Sequence, residues 1–161
     1  MRVFHGSTIE IPNPDVDHSK KNLDFGPGFY LTTIQTQAEN WALRKALRFK
    51  GPAIVSIYEL DNNLAEFRKK VFAENNREWV EFVCACRRGS DIYNQYDIIT
   101  GGVANDKVYV VVDMYYRGIW DMDRTLSELR FYQNNDQICL LNQQLVDRHL
   151  TFKESYEAVK K

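Results

Sequence analysis

The chain has 161 residues and a mass of 18.9 kDa, with 44% apolar, 13% aromatic and 27% charged side chains. A chain of that length fits one domain, 1–161, that buries roughly 70% of the surface its unfolded form exposes, so its core needs neither metal nor disulfide and disorder is disfavoured. With 21 basic and 22 acidic residues the net charge is -1, which excludes a global field for nucleic acid or an anionic membrane and leaves only local patches.

No stretch approaches the ~20 apolar residues of a membrane helix, and the opening Met1-Arg2-Val3-Phe4-His5-Gly6 has neither the charged nor the apolar region of a secretory signal. The expected location is cytoplasmic, with no membrane partner. Cys84, Cys86 and Cys139 are an odd set in such a chain and read as reduced, packed thiols. A C-x-C pair with no nearby histidine is a poor zinc site, so no metal is expected.

Arg2 to Phe4 reads as a short strand running into His5-Gly6-Ser7. The segment from Ile9 to Gly28 is polar, holds three prolines and reads as a long loop, a form usually kept for binding or for a lid. Phe29-Tyr30-Leu31-Thr32 suits a buried strand. Thr36-Gln37-Ala38-Glu39 has capping-box spacing and predicts a helix that stops at Gly51-Pro52. Within it Arg44, Lys45 and Arg48 read as a solvated face.

A strand is expected over Ala53–Tyr58 and a helix over Glu74–Arg87. Another short strand, Tyr96–Ile99, ends at Gly101-Gly102. Asp106–Tyr116 has strand-like valines, but Val108, Val111, Val112 and Tyr115 keep a helical stripe, and the expectation is a helix. Asn105-Asp106 before it reads as a turn and cap or as an acceptor-facing pair. A helix over Asp121–Tyr132, with Asp123 or Thr125 near its start, leads to a strand over Asp136–Leu141. A helical turn from Asn142 and a strand near Leu150–Phe152 close the chain. Strands and helices mix without βαβα alternation, so the fold class is α+β.

Three stations stand out for chemistry. They are His5-Gly6-Ser7, the run Asp24-Phe25-Gly26-Pro27-Gly28-Phe29-Tyr30-Leu31-Thr32, and Asp136-Gln137-Ile138-Cys139. Taken singly, His5 reads equally as a structural histidine, Tyr30 as core and Gln137 as an edge residue. In order, and with Trp41 on the next helix, they resemble the histidine-tyrosine-glutamate class of ADP-ribosyltransferases, the diphtheria-toxin and poly(ADP-ribose) polymerase branch. Within it the chain is similar to a small bacterial family catalogued as a domain of unknown function. Its members run His-Gly-Ser, Asp-Phe-Gly-x-Gly-Phe-Tyr-Leu-Thr and then Gly-x-Val-Ala-Asn-Asp, here Gly101 to Asp106. The resemblance covers about Val3 to Phe152.

It implies a pair of split, mixed or antiparallel sheets with flanking helices, NAD as substrate, and mono-ADP-ribosyl transfer to a macromolecular acceptor, protein or nucleic acid. It also implies a toxin whose partner is an antitoxin protein. His5, Tyr30 and Gln137 take the triad positions, and Gly6, Ser7, Gly26, Gly28, Thr32 and Trp41 the NAD-binding ones. Aromatic faces hold the cationic nicotinamide by ~0.5 to 2 kcal/mol each, a task for Tyr30 and Trp41. The Gly6 backbone suits the carboxamide because no side chain blocks approach. His5 and Ser7 suit ribose hydroxyls, and the glycine pair lets the loop turn tightly.

Cleavage of the nicotinamide–ribose bond passes through an oxocarbenium-like centre, helped by an acceptor near the 2′-hydroxyl. The branch uses glutamate there. Gln137 keeps a carbonyl acceptor without charge or basicity, which implies slow, non-polymerising chemistry, since a general base contributes ~10² to 10⁴ in rate. Asp136 and Gln143 are the alternatives for this station. An NAD glycohydrolase, and a non-catalytic NAD-binding or partner-binding module, are the competing readings of the whole.

Overall fold

A computed structural model describes residues 1–20, 22–132 and 135–161. Its described residues form seven strands and five helices: β1 Arg2–Ser7, β2 Phe29–Leu31, α1 Gln35–Phe49, β3 Ile54–Leu60, β4 Lys69–Val71, α2 Arg77–Arg87, β5 Ile98–Gly101, α3 Asp106–Tyr116, α4 Met122–Leu129, β6 Gln137–Leu140, α5 Gln143–His149 and β7 Leu150–Glu157. The fold is α+β, as expected. One sheet runs β1-β3-β7 and is antiparallel throughout, whereas the other runs β2-β6-β5-β4 with a parallel β4–β5 pair at its edge.

β3 is the central strand of the first sheet and is buried on both faces, which is why Ala53 to Tyr58 reads as a nearly unbroken apolar run. Val55 and Ile57 pack with Ala38 and Ala42 of α1, while Tyr58 and Leu60 join Val3, Leu31, Ile138 and Leu140 between the two sheets. A third cluster, with Phe25, Phe72, Trp79, Val111 and Cys139, lies where α2 and α3 cover the second sheet.

Several boundaries differ from expectation for identifiable reasons. The helix α1 does not begin with a Thr36 capping box: Ile34 is its N-cap and makes no side-chain cap bond. Its first turn is tied instead by Asp136, whose carboxylate accepts from the Thr33 amide at 3.0 Å and from the Thr32 and Thr33 hydroxyls. A side chain from 103 positions away is invisible to a local cap signal. α2 starts at Arg77 rather than Glu74, because Asn76 caps the Trp79 amide at 3.1 Å. α4 begins under an Asp121 cap on Arg124 N–H at 2.8 Å, and ends at Leu129, three residues short of the expected Tyr132.

The ambiguous valine segment is helical. Asn105 accepts from the Val108 amide at 3.0 Å and turns the chain into α3. β7 is longer than expected because its outer half, Lys153 to Glu157, pairs as an edge strand without an apolar signal. The edge strand β4 was not expected at all.

The segment from Ile9 to Gly28, of which Lys21 lies outside the described residues, holds a short 3-10 turn at Val16–His18. It is pinned at several points. Tyr58 OH donates to Ile11 O at 2.6 Å, and the Gly28 amide donates to Ser19 Oγ at 2.8 Å. Gln143 accepts from Val16 N–H at 3.0 Å and donates to Pro14 O at 3.1 Å. Among the described residues no helix is long and apolar enough to cross a membrane.

Candidate functional site

The two sheets meet at one bridge between β1 and β2. The Phe4 amide donates to Thr32 O at 2.9 Å and the Thr32 amide returns to Phe4 O at 3.0 Å, and beyond that pair the strands part. The His5 imidazole spans the opening. Its Nδ1 lies 2.6 Å from Tyr30 O, and its ring stacks on Phe29 with centroids 4.6 Å apart. Bonding a carbonyl requires Nδ1 to carry the proton, which leaves Nε2 as an acceptor. Burial, and then the Lys45 charge, lower the His5 pKa to about 3, so the ring is neutral.

Phe4 directs both its backbone groups at β2, and strand alternation sends those of Gly6 the same way, into the opening. Gly6 must be glycine for packing: a Cβ there would lie 2.2 Å from Ala38 O and 3.0 Å from Trp41 Cβ, so the bare backbone lets α1 rest directly on β1. The Gly6 carbonyl accepts a 2.8 Å bond from Lys45 Nζ. Lys45 thus departs from the solvated face expected for it. Arg44 and Arg48 remain exposed, while Lys45 turns inward, has no ion-pair partner among the described residues, and has its pKa lowered by burial. Ser7 pairs with Ile54 in the first sheet and stands at the far end of the opening.

The central motif is braced by its own tyrosine. Tyr30 OH donates to Gly26 O at 2.5 Å and accepts from the Phe25 amide at 3.1 Å, and burial pushes its pKa up. Gly26 has φ +84, a left-handed conformation, and a Cβ on it would meet the Tyr93 ring at 2.4 Å. At Gly28 a Cβ would come within 2.6 Å of Cys139 Sγ, so the glycine lets the loop cross β6 closely. Side chains alternate along β2, so the Tyr30 ring lies on the face opposite Phe29 and His5, packed against the helical cluster. Thr32 is buried and splits its hydroxyl between Asp136 and the Ile34 amide at 3.1 Å.

Gln137 is 4% exposed and its amide is fully used: Nε2 donates to Asp24 Oδ2 at 2.9 Å and to Gly102 O at 3.0 Å. Asp24 is the hub of this network. It also accepts from the Ala104 amide at 2.8 Å and from Arg87 Nε at 2.7 Å, with Arg87 Nη2 at 2.5 Å. Oε1 of Gln137 accepts no bond among the described residues, leaving it as the free acceptor of that side chain. The alternatives for this station are committed elsewhere, Asp136 to the start of α1 and Gln143 to the long loop. Asn105 serves as a helix cap.

Two clefts flank Asn135. One, of about 460 Å³, is lined by Gln137, Gly102, Thr33, Asn75 and Phe72. The other, of about 520 Å³, is lined by Trp41, Arg44, Asn105, Lys107, Phe131 and Tyr132. The structure therefore brings β1, β2 and β6 together at the three stations but distributes their side chains. Gln137 opens onto the first cleft and Trp41 onto the second, whereas His5, Gly6, Tyr30 and Lys45 line neither, and the expected Tyr30–Trp41 sandwich is not assembled. Sequence reading missed Asp24 and Lys45. The aspartate heading an otherwise apolar motif was the available signal for the first, and the i, i+4 relation of Lys45 to Trp41 for the second.

The three cysteines are free and buried, and burial raises the Cys86 pKa to about 12. Among the described residues no group of three or more histidines, cysteines or acids stands ready for a metal.

A comparison with curated proteins finds no match. The family model described as "Protein of unknown function (DUF3990)" matches residues 1–152. With nearly the whole length covered, the chain belongs to the DUF3990 family.

Proposed function

We propose that the protein is an NAD-dependent mono-ADP-ribosyltransferase, of the kind that serves as a toxin paired with an antitoxin protein. One observation carries the reading: β1 leaves β2 after the Phe4–Thr32 bridge and directs both backbone groups of Gly6 into an opening beneath Trp41 and Lys45 of α1. A planar carboxamide needs a donor and an acceptor side by side, and Gly6 offers both. Lys45 then gives up its bond to the Gly6 carbonyl, a move its four-carbon stem permits. The Trp41 ring supplies the stacking face, while Tyr30 acts by bracing the motif.

In the reaction the C–N bond to nicotinamide breaks with its electron pair leaving on nicotinamide. The acceptor's nucleophile bonds the anomeric carbon and loses its proton to water. Gln137 Oε1 accepts the ribose hydroxyl, held in place by Asp24. An uncharged acceptor stabilises the cationic centre less than a carboxylate would, so turnover is slow.

Incubation with labelled NAD and a cell lysate tests this. Label moves to a macromolecule with the native protein and fails to move with Trp41→Ala. If no label transfers and no nicotinamide is released, the reading is wrong, and release without transfer makes the protein an NAD glycohydrolase. A non-catalytic NAD-binding module is the second reading, favoured by the tethered Gln137 amide and by the ammonium at Gly6. Calorimetric NAD binding without nicotinamide release selects it.

A further inference from the structure

The second cleft is built unlike the first. At about 520 Å³ it places the rings of Trp41, Phe131 and Tyr132 beside the cations Arg44 and Lys107. Phe131 is 81% exposed. The carboxylate paired with Arg44 is Asp106, 3.9 Å away and itself on the surface, and Lys107 has no ion-pair partner among the described residues. Four carboxamides, Gln37, Asn40, Asn105 and Asn135, also stand in the lining. Asn40 is exposed, and Asn105 spends its oxygen on capping α3 while its NH₂ has no partner among the described residues. Flat apolar faces suit a base, two cations suit a phosphodiester, and carboxamides suit the edge of a base. On a chain of net charge -1 this is a local complement to a polyanion.

We infer that this cleft binds a nucleotide of single-stranded nucleic acid, which is the acceptor class. The acceptor role rests on the ADP-ribosyltransferase reading; the binding does not. The cleft touches the donor opening through Trp41 and the Gln137 strand through Asn135, so a nucleotide seated there lies next to the proposed reacting centre.

The experiment is a fluorescence-anisotropy titration of the full chain with labelled single-stranded DNA and RNA of about eight nucleotides, without NAD. Saturable binding is expected. Two released counterions give a log–log salt slope of about -1.4, or roughly sevenfold weakening between about 50 and 200 mM salt. Phe131→Ala weakens binding by about fivefold or more, and the Arg44→Glu, Lys107→Glu double variant abolishes it. These residues are exposed, so the melting temperature stays unchanged.

Absence of saturable binding, binding indifferent to both variants, or equal affinity for the matching duplex overturns the inference. So does capture of a phosphoserine peptide where the oligonucleotides fail. Displacement of the oligonucleotide by NAD at concentrations where AMP leaves it bound places the donor in this cleft and overturns the acceptor role. The titration contains no donor, so its failure and a failure of the labelled-NAD assay are separate results.

Discussion

Gln137 donates its side-chain amide to Asp24 Oδ2 at 2.9 Å, and this bond calls for an amide rather than a carboxylate at position 137. A glutamate there would set two carboxylates against each other, with Arg87 the one cation paired to Asp24 among the described residues. Gln137→Glu is therefore expected to destabilise the protein at pH 7 by on the order of 3 kcal/mol. The new carboxyl has its folded pKa raised above the unfolded value of about 4.3. The folded state then holds the extra proton, so stability falls as pH rises through that window and returns on acidification. Adding Asp24→Asn restores one carboxylate and one amide, and with them most of the melting temperature. Thermal scans at pH 5 and 7 check both variants.

Lys45→Met frees the Gly6 carbonyl and, under the proposed function, removes a positive charge from the path of a cationic nicotinamide. The KM for NAD is expected to fall severalfold with kcat little changed, and nicotinamide to inhibit more strongly. An unchanged KM would mean that Gly6 does not receive the carboxamide.

Tyr30→Phe leaves the Phe25 amide and the Gly26 carbonyl without their shared partner. A loss of about 1–3 kcal/mol in denaturant unfolding is expected, with nicotinamide release from the remaining folded protein close to the native rate. A collapse of kcat in fully folded protein would return Tyr30 to a direct role at the nicotinamide.

Acid sensitivity follows from His5 and Asp97. His5 titrates near 3 in the folded protein against about 6.5 unfolded, so below pH 6.5 the unfolded state binds more protons and stability falls by about 1.4 kcal/mol per pH unit until about pH 3. Asp97 is held at about 2 by hydrogen bonds from the Arg68 guanidinium, so its contribution is present above about 3.8 and disappears as pH falls through 2. His5→Asn should flatten the upper window alone, as read from urea midpoints between pH 4 and 7.

Much of this was legible in the chain itself. The α+β class, the central strand after Gly51-Pro52 and the helical resolution of the valine segment follow from local periodicity and the Asn105 cap. What stayed hidden is non-local. Lys45 looks like its neighbours Arg44 and Arg48 until Gly6 is packed beneath α1, because only the missing Cβ brings a carbonyl within its reach. The start of α1 is fixed by Asp136, and the orientation of Gln137 by Asp24. β4 is a three-residue edge strand of lysines and a valine, defined only by the parallel partner that hydrogen-bonds it. For the candidate site, motif order singled out three strands, β1, β2 and β6, that lie together in the fold, but the face on which each side chain lands depends on where β1 and β2 part.

The first sheet flanks β3 with β1 on one side and β7 on the other, the earliest and the latest strands of the chain. During synthesis the opening at Gly6 therefore stays unsupported until residues beyond 150 have left the ribosome, since β3 lacks one of its two neighbours until then. Such long-range pairing also makes closure slow. Under the proposed function this connectivity would act as a delay, with the site completed only after β7 has been made and a co-produced partner has had time to meet it.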